Sequence, residues 1–391
     1  MIRPHVALIC FDNPFLKPME GGKRAMLSRI HALQGLDIDL DVYLLNKRAE
    51  GIADLSPIAE DDRFILRQFR MRPTRPGMAL SRYPICVCKR YVDALKAELT
   101  RHHYDVAIYE GEHVSPYRLN ECVHAEKHVL YYHDIESEYR AQLSSSQKTL
   151  IARALQKNES RKFSTLEKRL PDAFDEHLFV SCDELDSFSA RYGFGDRMKY
   201  APYAVEDISE SVCLDVVPGR ILYIGDLTLD SNYSSVEWFV REVLPKVACD
   251  LCDVEFRVIG RIDEEKRAAL YSFDERVNVL GYVDDINSEY SNAACMVSPI
   301  LYGAGVKIKL IDALAHGQIV VANSKACEGT RLLDGDNLLV GDSPDDLAAL
   351  CSGVLNHRAD YLHVARNGLK FVMENHSIDA HRRLLAEVIY G

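Results

Sequence analysis

Short apolar runs alternate with longer amphipathic stretches along this chain, and the whole alternation occurs twice. That rhythm demands α/β units whose strands pair in parallel, with helices covering both faces of each sheet. In the first half the strand-like runs are residues 5–10, 40–45, 105–109, 128–132, 177–180 and 198–202, with helical stretches at 22–33, 91–102 and 150–169 among those between them. The pattern restarts after Val217-Pro-Gly219, with strand-like runs at 220–224, 254–259, 277–280, 294–298, 319–322 and 338–340. Helices at 234–247, 306–315 and 344–355 are among their connections. A length of 391 residues exceeds what one hydrophobic core usually serves, so two domains are expected. Residues 206–218 lack periodicity and read as the linker. The domains are therefore expected at 1–206 and 207–376, with the amphipathic segment 377–391 packing back on the first.

Composition narrows the class. Only a few apolar residues follow Met1-Ile-Arg-Pro-His before Asp12, which is not the pattern of a signal peptide. No apolar run approaches the roughly 20 residues that cross a bilayer. The chain is expected in the cytoplasm, free or peripheral at the inner face of a membrane. Its 11 cysteines, scattered through strand-like and helix-like segments, fit a reducing compartment. Cys249-Asp-Leu-Cys252 and Cys86-Val-Cys88 are isolated pairs with no second pair at suitable spacing, and neither zinc nor redox chemistry is expected of them.

The formal net charge of −12 is unevenly spread. Residues 1–200 hold 30 Lys and Arg against 29 Asp and Glu, and the remainder 17 against 30. Within the first half, residues 63–101 carry ten basic and two acidic side chains, with Phe64, Ile65, Leu66, Phe69, Met71 and Met78 interleaved. This stretch fits an anionic membrane surface or a lipid-phosphate acceptor, and equally a solvated surface with no partner. Nucleic acid is not expected, since the basic patch is local and the chain as a whole is acidic.

In open parallel sheets, ligands bind beyond the carboxyl ends of the strands, so the residues there carry the functional signal. In Tyr302-Gly-Ala-Gly-Val-Lys-Ile-Lys-Leu-Ile-Asp-Ala-Leu-Ala-His-Gly317, Gly303, Ala304 and Gly305 precede a helix with Lys307 and Lys309 in its first turn. Lysines at that end oppose the helix dipole unless an anion binds between them, and glycines let the backbone approach such a group. A phosphate site is expected. On an ideal helix Gly305, Lys309, Asp312 and His316 share an arc of about 60°. The competing reading is a buried helix whose lysines snorkel to solvent. After the first strand comes Glu20-Gly-Gly-Lys-Arg24, where Gly21 and Gly22 open a helix without the G-x-G-x-x-G spacing of a dinucleotide site. His133-Asp-Ile-Glu136 follows the fourth strand, and Gly225-Asp226, Gly260-Arg261 and Gly281-Tyr-Val-Asp284 follow the first three strands of the second half.

Taken as a set, Ile221-Leu-Tyr-Ile-Gly-Asp226, Asn232-Tyr-Ser-Ser-Val-Glu-Trp-Phe239, Phe256-Arg-Val-Ile-Gly260, Val279-Leu-Gly-Tyr-Val-Asp284, Gly303-Ala-Gly305 and the stretch from Lys309 to Gly317 resemble the GT4 glycosyltransferases of GT-B fold. The first half is similar more loosely, through Gly21-Gly22, His133-Asp-Ile-Glu136 and Ala201-Pro-Tyr-Ala-Val205. The resemblance implies two Rossmann-like domains, a C-terminal one for a nucleotide-sugar donor and an N-terminal one mainly for the acceptor. That acceptor would be a glycan or a lipid-linked molecule in cell-surface polysaccharide synthesis. Retention of anomeric configuration is also implied, with no metal and no other cofactor.

Carried onto this sequence, the resemblance places the donor diphosphate on the amides of Gly303, Ala304, Gly305, Val306 and Lys307, with Lys309 stabilising the leaving group. Asp312 would bond the ribose hydroxyls, Gly225 would lie beside the donor, and Gly281, Tyr282 and Val283 would hold the base. Gly21 and Gly22 would approach the donor from the other domain. His133 would face the donor sugar and form the catalytic pair with Lys309; on local sequence alone it reads equally as a strand-end histidine bonded to Asp134 or Glu136.

The chain departs from the family pattern at Asp226 and Asn232, which stand in place of an arginine and a lysine, and in lacking the first glutamate of an E-x7-E motif. A glycine-rich branch of the family shares the last variant, with Lys309 as the substitute cation. Two further readings stay open. One is a sugar-nucleotide epimerase on the same fold, with Glu110, Glu112 and Glu136 as acid/base candidates; the other is a non-catalytic partner subunit, which Asp226 and Asn232 favour.

Overall fold

The computed structural model describes residues 3–16, 21–47, 62–147, 149–193, 195–250, 253–303 and 305–391. Ala304 of the glycine segment, Glu20 before the glycine pair and Cys252 lie outside them. The chain divides into two compact units, one running to Ala204 and completed by His381–Gly391, the other Val205–Ala380. Each is a Rossmann-like domain.

The first unit contains β1 (His5–Ile9), β2 (Asp39–Asn46), β3 (Phe64–Arg70), β4 (His103–Glu110), β5 (His124–Tyr132), β6 (Glu176–Phe179) and β7 (Met198–Tyr200). They form one parallel sheet in the order β3-β2-β1-β4-β5-β6-β7. The second unit contains β8 (Arg220–Ile224), β9 (Glu255–Ile259), β10 (Val277–Gly281), β11 (Cys295–Ser298), β12 (Val320–Ala322) and β13 (Leu339–Val340), again parallel, in the order β10-β9-β8-β11-β12-β13. Central strands covered on both faces read as unbroken apolar runs: Val6, Ala7, Leu8 and Ile9 of β1 are fully buried, as are Cys295, Met296 and Val297 of β11. In both sheets the winding direction reverses beside the first strand, and a crevice opens where it does. The chain enters that crevice at Phe11 and Gly111 in the first unit, and at Gly225 and Pro299 in the second.

Most strands fall where the apolar runs place them; β3 does not. The sequence reading takes residues 63–101 as basic surface, but its first part is an edge strand paired with β2. Arg67 reaches Asp41 at 3.3 Å and Glu98 at 3.0 Å, Arg72 reaches Asp93 at 2.7 Å, and buried Arg90 donates to the Phe11 carbonyl at 2.7 Å. Together with Arg63 and Arg101, which meet Asp37 and Glu98, these ion pairs tie part of the stretch's charge down inside the unit. The helix expected at 234–247 is three pieces, Asp230–Trp238, a wider π turn at Phe239–Val243, and Leu244–Asp250. The helix expected to end at 355 continues to Asn375, through a break at His357 (φ −134°, ψ 43°). The final helix, Ile378–Tyr390, contributes its later turns to the first unit, where Lys127 Nζ donates to the Val388 carbonyl at 2.7 Å. Among the described residues no helix is long and apolar enough to cross a membrane.

Candidate functional site

The second unit's candidate site centres on Lys309. Its helix runs Ile308–Ala315, so Lys307 is the N-cap and Gly305 and His316 fall outside the helix. The four-residue polar arc is therefore not a helical stripe. Before the helix, Gly303 (φ 127°) and Gly305 (φ 75°) hold conformations that only glycine adopts without strain. A Cβ at Gly303 would meet nothing within 4 Å, which leaves the backbone there open to a ligand. Lys307 provides no side-chain cap; its Nζ turns back to donate to the carbonyls of Gly303 (3.2 Å) and Gly305 (2.5 Å), strapping the turn to the helix.

Lys309 points elsewhere. Its Nζ donates to Tyr223 Oη at 2.8 Å and Asn232 Oδ1 at 2.9 Å, and lies 4.6 Å from the centroid of the Tyr223 ring. All of these partners are neutral. The side chain keeps some exposure, but burial of its ammonium end, with a smaller contribution from Lys307, pushes its pKa down to about 7. Gly225 makes room for this arrangement: a Cβ there would come within 3.1 Å of Tyr223 Oη and 3.4 Å of Asn232 Nδ2. Asn232, a departure from the family pattern, is thus the residue that holds Lys309. Its Nδ2 donates to the Asp226 carbonyl at 2.9 Å. The other departure, Asp226, is bonded by Thr228 and paired with Arg261, which follows β9.

The remaining donor-side residues are spread over the same unit. Gly281 ends β10 with φ 74°, Tyr282 beyond it is 77% exposed, and Val283 is partly buried. Val306 is also partly buried, and Asp312 is buried on its helix. The Asp312 carbonyl accepts from His316 Nδ1 at 2.7 Å, while the His316 ring stacks on Tyr290 at 4.2 Å and meets Asn287 Oδ1 through Nε2 at 2.9 Å. His316 therefore belongs to a different cluster from Lys309.

In the first unit the structure pairs His133 with a residue that sequence reasoning named only as an epimerase acid. Its Nε2 lies 2.7 Å from Oε2 of Glu110, the fully buried last residue of β4. Glu110 is also ion-paired with Arg29 of the helix Gly21–Gln34, whose guanidinium sits 3.2 Å from the Tyr131 ring centroid. Burial works to raise the Glu110 carboxyl, but the Arg29 charge and then the His133 contact outweigh it and hold it at about 2. An ionised carboxylate at Nε2 assigns the proton to that nitrogen. Phe11 closes the group: its ring meets His133 edge-on at 5.3 Å, stacks on His113 at 5.3 Å, and lies 3.9 Å from where a Cβ on Gly22 would stand. Gly21 opens the same helix.

A second helix start in this unit, after His133-Asp-Ile, is already filled. The helix Glu136–Ser146 receives Glu184 at the Ile135 amide (3.1 Å) and Glu167 at the Ser137 amide (2.8 Å) and hydroxyl (2.7 Å). Burial raises Glu184 to about 8, with the Asp134 charge adding to it. Buried Glu112 is pushed well above the carboxylate range, first by burial and then by Glu167 and Glu136. Glu136 itself meets His113 Nε2 at 3.2 Å and Arg140 at 3.1 Å. The three acids of the epimerase reading are therefore all buried, two of them held in ion pairs or hydrogen bonds within the unit. Among the described residues no group of three His, Cys, Asp or Glu side chains is arranged to hold a metal.

Tyr223 and Arg29 escaped sequence reasoning as site residues. Only Arg29 left a signal: it shares the apolar face of its helix with Met26, Ile30 and Leu33, a place where a charge needs a buried partner.

Residues 218–357 match the family model described as glycosyl transferases group 1. Sucrose-phosphate synthase from Thermosynechococcus elongatus has the same fold, with a TM-score of 0.73 at 16% identity over 99% of this chain and 98% of that one. So does Anabaena Alr3699/HepE, solved with UDP and glucose, with a TM-score of 0.64 at 13% identity over 99% and 100%. Match and scaffold together mark a glycosyltransferase of GT-B fold, the similarity to the group 1 glycosyl transferases lying in residues 218–357. In sequence the chain is similar to an uncharacterized 44.6 kDa protein in the cps region of Klebsiella pneumoniae, 24% identical over 95% of this chain and 96% of that protein. It is also similar to the phosphatidyl-myo-inositol mannosyltransferase of Mycolicibacterium smegmatis, 34% identical over 169 residues, which are 40% of this chain and 43% of that one.

Proposed function

We propose that the chain is a retaining glycosyltransferase of the glycine-rich GT4 branch, moving a sugar from a nucleotide-sugar donor to a glycan or lipid-linked acceptor in cell-surface polysaccharide synthesis. The observation that carries this reading is Lys309, a cation at a glycine-opened helix start whose hydrogen-bond partners are a phenol and an amide. A diphosphate supplies the counter-charge that these partners lack. The neighbour solved with UDP and glucose supports a uridine donor, and the relative from a cps region supports a capsule-type acceptor at the inner face of the cytoplasmic membrane.

In this mechanism the amides of residues 303–307 and Lys309 take the charge of the departing diphosphate. The acceptor hydroxyl enters on the face from which the diphosphate leaves, through an oxocarbenium-like state, and a departing phosphate oxygen takes its proton. His133, fixed by Glu110, positions the donor sugar, and the first unit takes the acceptor. No metal or other cofactor has a role; orientation, charge stabilisation and exclusion of water do the work.

A thermal-shift screen against UDP, GDP, ADP and their sugars, run on wild type and Lys309→Ala, tests the reading. A nucleotide that stabilises the wild type alone supports it. If no nucleotide moves the midpoint even at millimolar concentration, the non-catalytic partner subunit replaces it.

A further inference from the structure

The first unit carries a helical hairpin with an apolar tip and a basic groove. Helix Glu136–Ser146 is followed within a few residues by helix Leu150–Glu167, capped by Thr149 Oγ1 on the Ala152 amide at 3.2 Å. The second helix buries Glu159, Phe163, Leu166 and Glu167. Its first turn is bare: Leu150 is 80% and Ile151 84% exposed, with Leu155 at 42% one turn further on. At 100° per residue, Leu150, Lys157 and Arg161 lie within about 40° of one another, and Arg153 about 60° from Leu150. One solvent-facing stripe is thus apolar at the tip and basic behind it. Arg153, Lys157 and Arg161 line a groove of about 620 Å³ between the helices with Ala141, Ser144, Ser145 and Ser160, and no carboxylate lines it. Residues 148–162 include five basic residues and one acid, Glu159. That acid is turned inward, accepting from the Ile85 amide at 2.6 Å and Lys162 Nζ at 3.1 Å.

We propose that this hairpin docks the protein on an anionic phospholipid bilayer, Leu150 and Ile151 entering the interfacial region and lipid phosphates lying on Arg153, Lys157 and Arg161. The order of chemistry along the helix selects this occupant. A bilayer presents an apolar interior behind a layer of phosphates, and the hairpin presents apolar side chains at its tip and cations one to three turns behind. Charge and apolar exposure coincide here, whereas four cations of residues 63–101, Arg63, Arg67, Arg72 and Arg101, are ion-paired within the unit. The inference is independent of the donor site, which lies on the other unit.

Flotation with phosphatidylcholine vesicles, with and without phosphatidylglycerol, tests it on the full chain. Two variants are compared with wild type: Leu150→Asp/Ile151→Asp, and Arg153→Glu/Lys157→Glu/Arg161→Glu. Their exposed positions leave the fold intact, checked by circular dichroism and an unchanged nucleotide thermal shift. Wild type is expected to float with the anionic vesicles and not the neutral ones, and each variant to lose more than about tenfold in partitioning. Equal partitioning to both vesicle types overturns the proposal, as does wild-type partitioning by both variants. A wild-type dimer that either variant makes monomeric overturns it as well, since the tip would then meet a second copy of the chain.

Discussion

Lys309 carries its charge against its surroundings, and that makes it sensitive to pH. Its folded pKa of about 7 lies below the roughly 10.4 of a free lysine. Between those values the unfolded chain binds more protons, so this group's contribution to stability rises with pH across that window. A bound diphosphate reverses the preference and restores the charged form. Nucleotide binding near pH 8 is therefore expected to take up close to about one proton. Calorimetry in buffers of different ionisation enthalpy measures this, and equal heats in all buffers would remove Lys309 from the phosphate site. Lys309→Met is expected to abolish the uptake. Glu110 presents the opposite case, an acid that is most useful ionised. Glu110→Gln leaves Arg29 buried without its counter-ion and is expected to cost about 3–5 kcal/mol in urea unfolding. His133→Gln removes one partner of Glu110 while leaving the Arg29 pair in place, and is expected to cost far less, while lowering turnover.

Two helix starts differ in what their amides meet. The start at residues 303–309 is opened by glycines and strapped by Lys307, whereas the start at 135–137 is closed by Glu167 and Glu184. Beside the closed start, Glu112 stays protonated in the fold at pH values where it ionises in the unfolded chain. Stability attached to this group falls as pH rises above the ordinary carboxylate value. Glu112→Gln is therefore expected to raise the melting temperature at pH 8 by more than at pH 5; a gain independent of pH would show that its carboxyl is not held neutral. Elements built on local pattern were legible in the sequence, among them the strands of the second unit and the helix at 308–315. β3 was not, because a half-buried edge strand with arginines on it lacks both apolar continuity and clean alternation. The far arm of helix 344–375 was hidden by the polar break at His357, where the structure kinks but does not stop.

At the scale of the molecule, the donor reading predicts where protection from hydrogen exchange appears. UDP or its sugar is expected to slow exchange in residues 223–232 and 303–312, within the second unit. Slowing confined to the first unit would overturn the assignment. The glycine segment and Lys309 could be read from sequence because they lie within seven residues of one another. Pairings across the chain could not: Tyr223 and Asn232 lie 86 and 77 residues from Lys309, and Glu110 lies 81 from Arg29. Only the sheet topology brings such partners together. The edge strand β3 has a consequence for the molecule's behaviour among its own kind. An unpaired sheet edge is a template for another copy's strand. Arg70 ends β3 with its side chain exposed, a charge that meets its own counterpart when two such edges approach. Basic residues that first look like a landing surface thus also disfavour edge-to-edge pairing of two copies of the chain.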